Sequence, residues 1–223
     1  MEPGFTAVKV ASIRAESPSL SLLELDVVGS SVEGQFTTPG QYLRMVLGDQ
    51  ITYFAMCSAP EERSRLQFLI RMDGRVGERV RDLRPGDEVE ISGVEGMGFP
   101  LEGILGRELV LMATGTGLAP LRSLIQSPLS AQFPRIHLYF GTTTLAEVPF
   151  LDEMETWRGR GLHIRLALSR GDEPRYVQDL LHTHPGVLGE SAALVCGNPV
   201  MMDAVSLALQ EAGMPTPYIR RNF

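Results

Sequence analysis

Cysteine is scarce in this sequence. Only Cys57 and Cys196 are present among 223 residues, and they lie far apart. A four-cysteine zinc site or an iron–sulfur cluster needs more thiolates than two, so neither is expected within this chain. Two isolated cysteines are compatible with a reducing compartment. We expect no metal site, and the histidines at 137, 163, 182 and 184 are interpreted as structural or surface residues.

Long apolar runs are also missing. Although 43% of the residues are hydrophobic, no stretch approaches the ~20 consecutive apolar residues that a membrane-spanning helix needs. No positively charged segment followed by an apolar leader opens the sequence. The expectation is therefore a cytoplasmic protein without a membrane span.

Basic charge is limited as well. The formal net charge is −7, and Lys9 is the single lysine. Residues 1–103 carry ten basic and sixteen acidic residues, against ten and eleven in residues 104–223. Neither half has the positive field that binding to nucleic acid or to an anionic membrane requires. The expected partners are therefore small molecules or other proteins.

Short alternating segments fill the first half of the sequence. Turn signals such as Pro39-Gly40, Asp73-Gly74 and Pro85-Gly86-Asp87 separate them. The strand candidates are 6–13, 21–27, 42–46, 51–57, 66–71 and 88–92, with one short helix possible over 75–83. Six short strands within about 95 residues predict a small antiparallel β-barrel.

Longer units fill the second half, where strands alternate with helices. The predicted strands are 109–113, 136–140, 162–168 and 192–196, with a last one at 217–220, and the helical stretches are 118–126, 148–158, 175–182 and 199–212. This alternation predicts a doubly wound parallel sheet, an α/β fold. The boundary is expected near 103–106, which gives domains 1–103 and 104–223.

A glycine-rich turn follows the first strand of the second half. The apolar segment 109–113 runs into Thr114-Gly115-Thr116-Gly117-Leu118-Ala119-Pro120. Glycine lets the backbone approach a phosphate closely, and the amides and dipole of a following helix attract the anion. Glycine after a strand is also often only a turn. Gly141 and Cys196-Gly197 mark two further strand ends, where ligands of such sheets bind.

Seven motifs occur in a fixed order along the chain, which also ends on an aromatic residue, Phe223. They are Pro39-Gly40-Gln41-Tyr42, the segment ending Ser58-Ala59-Pro60, Asp73-Gly74-Arg75-Val76, Pro85-Gly86-Asp87, Gly93 to Phe99, Gly115 to Pro120, and Cys196-Gly197-Asn198-Pro199 with Met201-Met202. In this order they resemble the ferredoxin–NADP reductase superfamily over nearly the whole chain. The resemblance implies an antiparallel Greek-key flavin-binding barrel followed by an NAD(P)-binding domain.

The resemblance also implies a function. NAD(P)H would pass hydride to FAD or FMN, and the electrons would go on to free flavin, a ferric species or a redox protein. Any protein acceptor is expected to be a separate chain, because this chain offers no ligands for an iron–sulfur cluster. Cys196 would lie near the nicotinamide ring, although a cysteine in an apolar strand is often only a small buried hydrophobe.

Candidate binding residues follow from the same resemblance. Those for the flavin are Thr52, Tyr53, Phe54, Ala55, Arg71, Gly74, Arg75, Val76 and Gly77. Those for the nicotinamide nucleotide are Gly115, Thr116, Gly117, Pro120, Ser169, Arg170, Gly197, Asn198 and Pro199, with Phe223 at the end of the chain. Ser169 and Arg170 are candidates for the 2′-phosphate of NADPH.

The flavin motif departs from the family pattern in three places. The family has Arg, any residue, an aromatic, then Ser or Thr; here Thr52 and Ala55 replace the Arg and the hydroxyl residue. The later Gly-x-x-Ser ends in Gly77. Either a nearby arginine (71, 75 or 79) supplies the phosphate contact, or flavin binding is weak. In the second alternative, flavin is a diffusible substrate or is absent. A separate hypothesis is a flavin-poor adaptor or electron-transfer subunit that keeps the fold as a binding or assembly module.

Overall fold

The computed structural model describes residues 4–221, and two sheets organise them. The first is a six-stranded antiparallel sheet in the order β4-β3-β6-β1-β2-β5. Its strands are β1 (Phe5–Ala15), β2 (Leu20–Asp26), β3 (Tyr42–Leu47), β4 (Gln50–Ala55), β5 (Arg65–Arg71) and β6 (Glu88–Ser92), and helix α1 (Gly74–Asp82) connects β5 to β6.

The first sheet curls into a nearly closed barrel. Alternate residues of β3 (Leu43, Met45 and Leu47) point into its core, as the period of two in a half-buried strand requires. The two edge strands approach each other: Phe54 of β4 packs edge-on against Phe68 of β5, with ring centroids 6.2 Å apart. The barrel predicted from the alternating segments is confirmed.

The second sheet is parallel and five-stranded, in the order β11-β10-β7-β8-β9. Its strands are β7 (Leu109–Thr114), β8 (Ile136–Thr142), β9 (His163–Leu168), β10 (Ala192–Cys196) and β11 (Ile219–Arg221). Its helices are α2 (Leu118–Gln126), α3 (Leu151–Gly159) and α4 (Pro199–Glu211). Because β7 lies between β8 and β10, the winding of the chain reverses beside β7, which is where doubly wound folds bind ligands.

Two helical segments differ from the sequence prediction. The stretch expected over 175–182 forms a 3-10 helix, Val177–Thr183. The helix expected from 148 begins only at Leu151, because Phe150 has a left-handed φ of 60° that cannot belong to an α-helix. Among residues 4–221, no helix is long and apolar enough to cross a membrane.

The two sheets share one apolar cluster. Leu20, Leu22 and Leu69 of the barrel pack with Leu118 and Leu121 of α2, and all five are fully or almost fully buried. Burial of this surface from water stabilises the joint between the sheets. The domain boundary near 103–106 stays a prediction.

A buried arginine also crosses the joint. Arg122 of α2 is 4% exposed and donates to the Cys57 carbonyl oxygen (2.8 Å) and to Gln67 Oε1 (2.9 Å) in the barrel. Its Nε and Nη2 bond both carboxylate oxygens of Glu153 on α3, at 2.8 and 2.7 Å. Burial raises the pKa of the Cys57 thiol to about 12, although Arg122 opposes the shift. Arg122 therefore fixes α2 and α3 against the barrel, and Cys57 is not a reactive thiol.

Candidate functional site

A cleft of about 1180 Å³ lies between the two sheets. The carboxyl ends of β7, β8 and β10 form one wall, and β4 and β5 form the other. The volume exceeds the roughly 300–1,000 Å³ typical of small-molecule pockets. The predicted site residues that line it are Thr52, Tyr53, Phe54, Ala55, Arg71, Val76, Gly115, Thr116, Gly117, Pro120, Ser169, Cys196, Gly197, Asn198 and Pro199.

The glycine turn after β7 forms the centre of the first wall. Gly115 has a φ of +55°, a conformation that L side chains rarely adopt. Gly117 is required for a different reason, since a Cβ there would collide with the carbonyl of Cys196 at the end of β10. The absence of a side chain at 117 thus permits the packing of two strand ends. A Gly117→Val change would disturb the fold itself, which makes that variant unsuitable as a test of nucleotide binding.

The end of β10 completes this wall. Cys196 is 6% exposed and borders the cleft. Asn198 caps helix α4, because its Oδ1 accepts a hydrogen bond from the Met201 amide at 2.9 Å. Pro199 occupies the first turn of α4, where its missing N–H costs nothing. A Cβ at Gly197 would lie 2.6 Å from Thr114 Oγ1, so the two strand ends are in close contact here too.

The opposite wall carries two aromatic rings. Phe54 is half-buried and exposes part of its ring to the cleft, while Tyr53 is 63% exposed and packs edge-on against Tyr42 at 5.7 Å. Thr52 and Ala55 also border the cleft. Neither side chain carries a charge, so the strand that bears the family's flavin motif offers a planar ligand aromatic surface and no cation.

Arg71 supplies a cation to the cleft. It lies at the end of β5, and one of its guanidinium nitrogens would be 2.8 Å from a Cβ built on Gly115. Arg71 therefore reaches from the barrel to the glycine turn. Its Nη1 also lies 3.9 Å from Asp73 Oδ2. Arg75 lies outside, in a small depression with Arg79 and three acidic residues, Asp49, Glu78 and Asp82. Of the three arginines considered above, Arg71 alone faces the cleft.

Gly77 occupies a place where no side chain fits. A Cβ at this position would collide with the backbone of Met72. The serine that the family pattern has here would therefore strain the start of α1. Gly74 and Gly77 do not border the cleft, so the structure brings neither of them to the other candidate flavin residues.

Glu147 is a cleft residue that the sequence analysis missed. It follows β8 and accepts hydrogen bonds from Ser17 Oγ (3.0 Å) and Ser19 Oγ (2.5 Å) of the barrel. The Ser19 hydroxyl, the Ser17 hydroxyl and the Ser19 amide together lower the pKa of Glu147 against the opposing effect of burial, and Arg71 adds to the shift. An isolated glutamate in a loop gives no sequence signal of such a contact.

The far end of the cleft has a different arginine from the predicted one. Ser169 borders the cleft there, as do Arg175 and Tyr176, whereas Arg170 does not. Arg175 is half exposed and pairs with Glu173 at 2.6 Å. Phe223 lies outside the described residues.

Comparison with known proteins was informative for both sheets. The family model "Oxidoreductase NAD-binding domain" matches residues 111–207. The chain is 29% identical to sulfhydrogenase 2 subunit gamma of Pyrococcus furiosus over 92% of its own length and 78% of the relative. It is also 29% identical to terephthalate 1,2-dioxygenase reductase component 2 of a Comamonas species, over 94% of this chain and 65% of the relative.

Solved structures share the whole fold. A ferredoxin NADP+ reductase from Neisseria gonorrhoeae with bound FAD and NADP superposes with a TM-score of 0.83 at 19% identity, with full coverage of both chains. A phthalate dioxygenase reductase gives a TM-score of 0.80 at 21% identity, over 98% of this chain and 67% of that one. The chain spans less than two thirds of several curated relatives, for example 64% of sulfhydrogenase 1 subunit gamma of Pyrococcus furiosus.

Proposed function

We propose that this chain, an oxidoreductase of the ferredoxin–NADP reductase superfamily, passes hydride from NAD(P)H to a flavin held in the cleft and delivers the electrons to a redox partner. The observation that carries the proposal is the meeting of two walls in one cleft. Gly115 and Cys196 border it from the parallel sheet, and Phe54 and Arg71 border it from the barrel.

The first wall suits a dinucleotide. The Gly115–Pro120 turn leads into α2 beside the point where the winding reverses, so backbone amides and the helix dipole face a pyrophosphate. Ser169 and Arg175 lie at the far end, within the same cleft, where they suit the adenosine part. These residues bind and orient; none of them needs to act as an acid or base.

The second wall suits a flavin. Phe54 and Tyr53 offer aromatic faces to the ring system, and Arg71 offers the guanidinium that Thr52 lacks. A flavin held by these residues would supply the two-electron acceptor for the hydride and the one- or two-electron donor for the partner. Cys196, almost fully buried where the walls meet, helps to exclude water from the reacting atoms.

For the acceptor, a redox protein is favoured over free flavin. The relatives named above are a sulfhydrogenase subunit and a dioxygenase reductase component. A probable electron-transfer subunit of dihydroorotate dehydrogenase B from Methanothermobacter thermautotrophicus is 30% identical over 69% of this chain. Each name describes one part of a larger assembly, which supports a protein partner here. The excess of acidic residues in 1–103 disfavours an acidic partner at that surface.

The alternative is a flavin-poor adaptor, and three residues favour it. Thr52 and Ala55 lack the polar groups of the family motif, and Gly77 has no room for the serine. The two functions differ in one measurable property, which is the affinity for flavin.

Titration of FAD and FMN into flavin-free protein tests the proposal. We expect flavin fluorescence to change with micromolar or tighter affinity, and NADH or NADPH to reduce ferricyanide only when flavin is present. Phe54→Leu keeps an apolar contact with Phe68 but removes the aromatic face, and should weaken binding about 3- to 10-fold, the equivalent of about 0.5–1.5 kcal/mol. Ile51→Leu, on the same strand but outside the cleft, is the matched control. Absence of binding at tens of micromolar would establish the adaptor instead.

A further inference from the structure

A second cluster of functional side chains lies at the opposite edge of the parallel sheet. Glu108 immediately precedes β7, and His137 is the second residue of β8. Both are therefore at the amino ends of strands whose carboxyl ends form the cleft. His184 joins them from the segment that follows the 3-10 helix Val177–Thr183.

Three polar atoms of this cluster converge. Glu108 Oε1 lies 2.8 Å from His137 Nε2 and 3.2 Å from His184 Nε2, and all three atoms are within 4.8 Å of one another. The histidine side chains are each 1% exposed, and that of Glu108 is 11% exposed. All three atoms are inaccessible to solvent, yet none makes a hydrogen bond of acceptable geometry within residues 4–221. Buried polar atoms normally have partners, so this convergence requires an explanation.

We propose that Glu108, His137 and His184 bind a divalent transition-metal ion of the zinc class, with a water molecule as the remaining ligand. Imidazole nitrogens with one carboxylate oxygen form a donor set that Zn²⁺ prefers. In a tetrahedral site with bonds of about 2.0–2.1 Å, ligand atoms lie roughly 3.3 Å apart. The two separations from Glu108 Oε1, 2.8 and 3.2 Å, are already close to that value. The two histidine nitrogens lie within 4.8 Å of each other, so on binding an ion they would approach by up to about 1.5 Å.

The surroundings hold the ligands in suitable protonation states. Burial and the neighbouring His184 lower the pKa of His137 to about 4 against the opposing effect of Glu108, and burial likewise lowers the pKa of His184. Burial opposes ionisation of Glu108, but the hydrogen bond from Arg135 keeps its pKa below the usual value. Metal ligation needs neutral imidazoles and an ionised carboxylate, so these directions accord with a ligand role that the convergence of the three atoms carries.

Supporting contacts orient two of the three ligands. Arg135 Nε bonds Glu108 Oε2 at 2.7 Å, which leaves Oε1 for the ion. The Tyr139 hydroxyl lies 2.8 Å from His184 Nδ1, and Tyr139 is fully buried. When Nδ1 donates its proton to that hydroxyl, Nε2 presents its lone pair to the site. Such outer contacts typically contribute 10- to 100-fold to metal affinity.

A glycine keeps space beside the cluster. A Cβ at Gly186 would lie 2.7 Å from Glu108 Oε1 and 3.1 Å from His184 Nε2. The ion would join the starts of β7 and β8 to the 169–190 segment, whose other end carries Arg175 and Tyr176 into the cleft. The metal would thus anchor that segment, a role independent of whether the cleft holds flavin.

Titration of the full-length, metal-free protein with Co²⁺ and Zn²⁺ tests the site. We expect one equivalent of Co²⁺ to give a tetrahedral absorption spectrum that one equivalent of Zn²⁺ abolishes. His184→Ala should lower Zn²⁺ affinity roughly 100-fold or more, beyond the 10- to 100-fold loss expected from Tyr139→Phe, which removes only the supporting hydroxyl. His182→Ala, an exposed neighbour outside the cluster, should bind metal as the wild type does.

Thermal unfolding gives a second measurement on the same proteins. Excess Zn²⁺ should raise the unfolding temperature of the wild type and His182→Ala but not that of His184→Ala, because an ion that binds only the folded state stabilises it. If His184→Ala fails to fold, Tyr139→Phe and Glu108→Gln provide the comparison. The proposal is wrong if the wild type takes up no stoichiometric metal, or if His182→Ala loses as much affinity as the cluster variants.

Discussion

The two walls of the cleft are built in different ways. The wall of the parallel sheet depends on backbone, because Gly115, Gly117 and Gly197 let strand ends and a turn pack without side chains. The barrel wall depends on side chains, namely the rings of Phe54 and Tyr53 and the guanidinium of Arg71. A close backbone contact restricts its position to glycine, whereas a cationic side chain can contact the same ligand from several positions in the sequence. The glycine turns of the family pattern are therefore kept on the first wall, while the polar flavin contacts of the second wall are altered.

This contrast bears on two of the three departures in the flavin motif, at Thr52 and Gly77. The position of Thr52 lacks the expected cation, but Arg71, on the neighbouring edge of the barrel, extends to Gly115. Gly77 lacks the expected hydroxyl because Met72 backbone occupies the space. A motif read along one strand misses a replacement on another strand, since the two are close only in the folded barrel.

The joint that holds the two walls together should show the largest effect. Arg122→Met removes a buried cation, so the Cys57 carbonyl loses this donor and the Glu153 carboxylate keeps only the hydrogen bond from Gln126 and the more distant Arg14. Breaking one side of a buried pair typically costs 3–5 kcal/mol. Because Glu153 is 26% exposed and retains some hydration, we expect the free energy of unfolding to fall by about 3 kcal/mol, measured by urea denaturation.

Arg158→Met is the matched control for this change. Arg158 pairs with Glu155 on the exposed face of α3, and such surface pairs contribute about 0–1 kcal/mol. Equal losses for the two variants would mean that Arg122 does not hold the joint. Removal of both charges in Arg122→Met/Glu153→Leu should recover part of the stability, as buried pairs replaced by apolar groups often do.

Most of the fold was predictable because the spacing of apolar residues within each short segment indicates whether that segment forms a strand or a helix. The six alternating strands, the short helix between β5 and β6 and three of the four predicted strand–helix units appear, while the stretch predicted over 175–182 forms a 3-10 helix. Phe150 shows the limit, since its left-handed φ shifts the start of α3 and no local pattern marks it. The cleft was predictable where it consists of glycine turns. Glu147 was missed because it reaches the cleft through contacts with a distant segment, and Arg175 because no local pattern marks which arginine of the segment after β9 faces the cleft.

Arg71 provides the sharpest test of the side-chain wall. Arg71→Gln should weaken FAD and FMN about 10- to 100-fold if the guanidinium bonds a flavin phosphate, because charge-assisted hydrogen bonds contribute roughly 1.5–3 kcal/mol. Calorimetric titration measures the effect. Arg75→Gln, which lies outside the cleft, should leave the affinity unchanged. Equal affinities for wild type and Arg71→Gln would show that the phosphate contact comes from elsewhere.

The far end of the cleft should give the smallest effect. Arg175 borders the cleft whereas Arg170 does not, so a contact to the 2′-phosphate of NADPH should pass through Arg175 with Ser169. Arg175 is half exposed and forms an ion pair with Glu173. Ion pairs of such solvated groups contribute about 0.2–1 kcal/mol. Arg175→Ala should therefore lower NADPH affinity only about 2- to 5-fold relative to NADH. The ratio of the two dissociation constants measures this preference directly. Arg170→Ala should leave that ratio unchanged. If the ratio shifts in Arg170→Ala and not in Arg175→Ala, the 2′-phosphate contact belongs to Arg170, as the sequence predicts. The segment 170–176 would then have to reposition when the nucleotide binds.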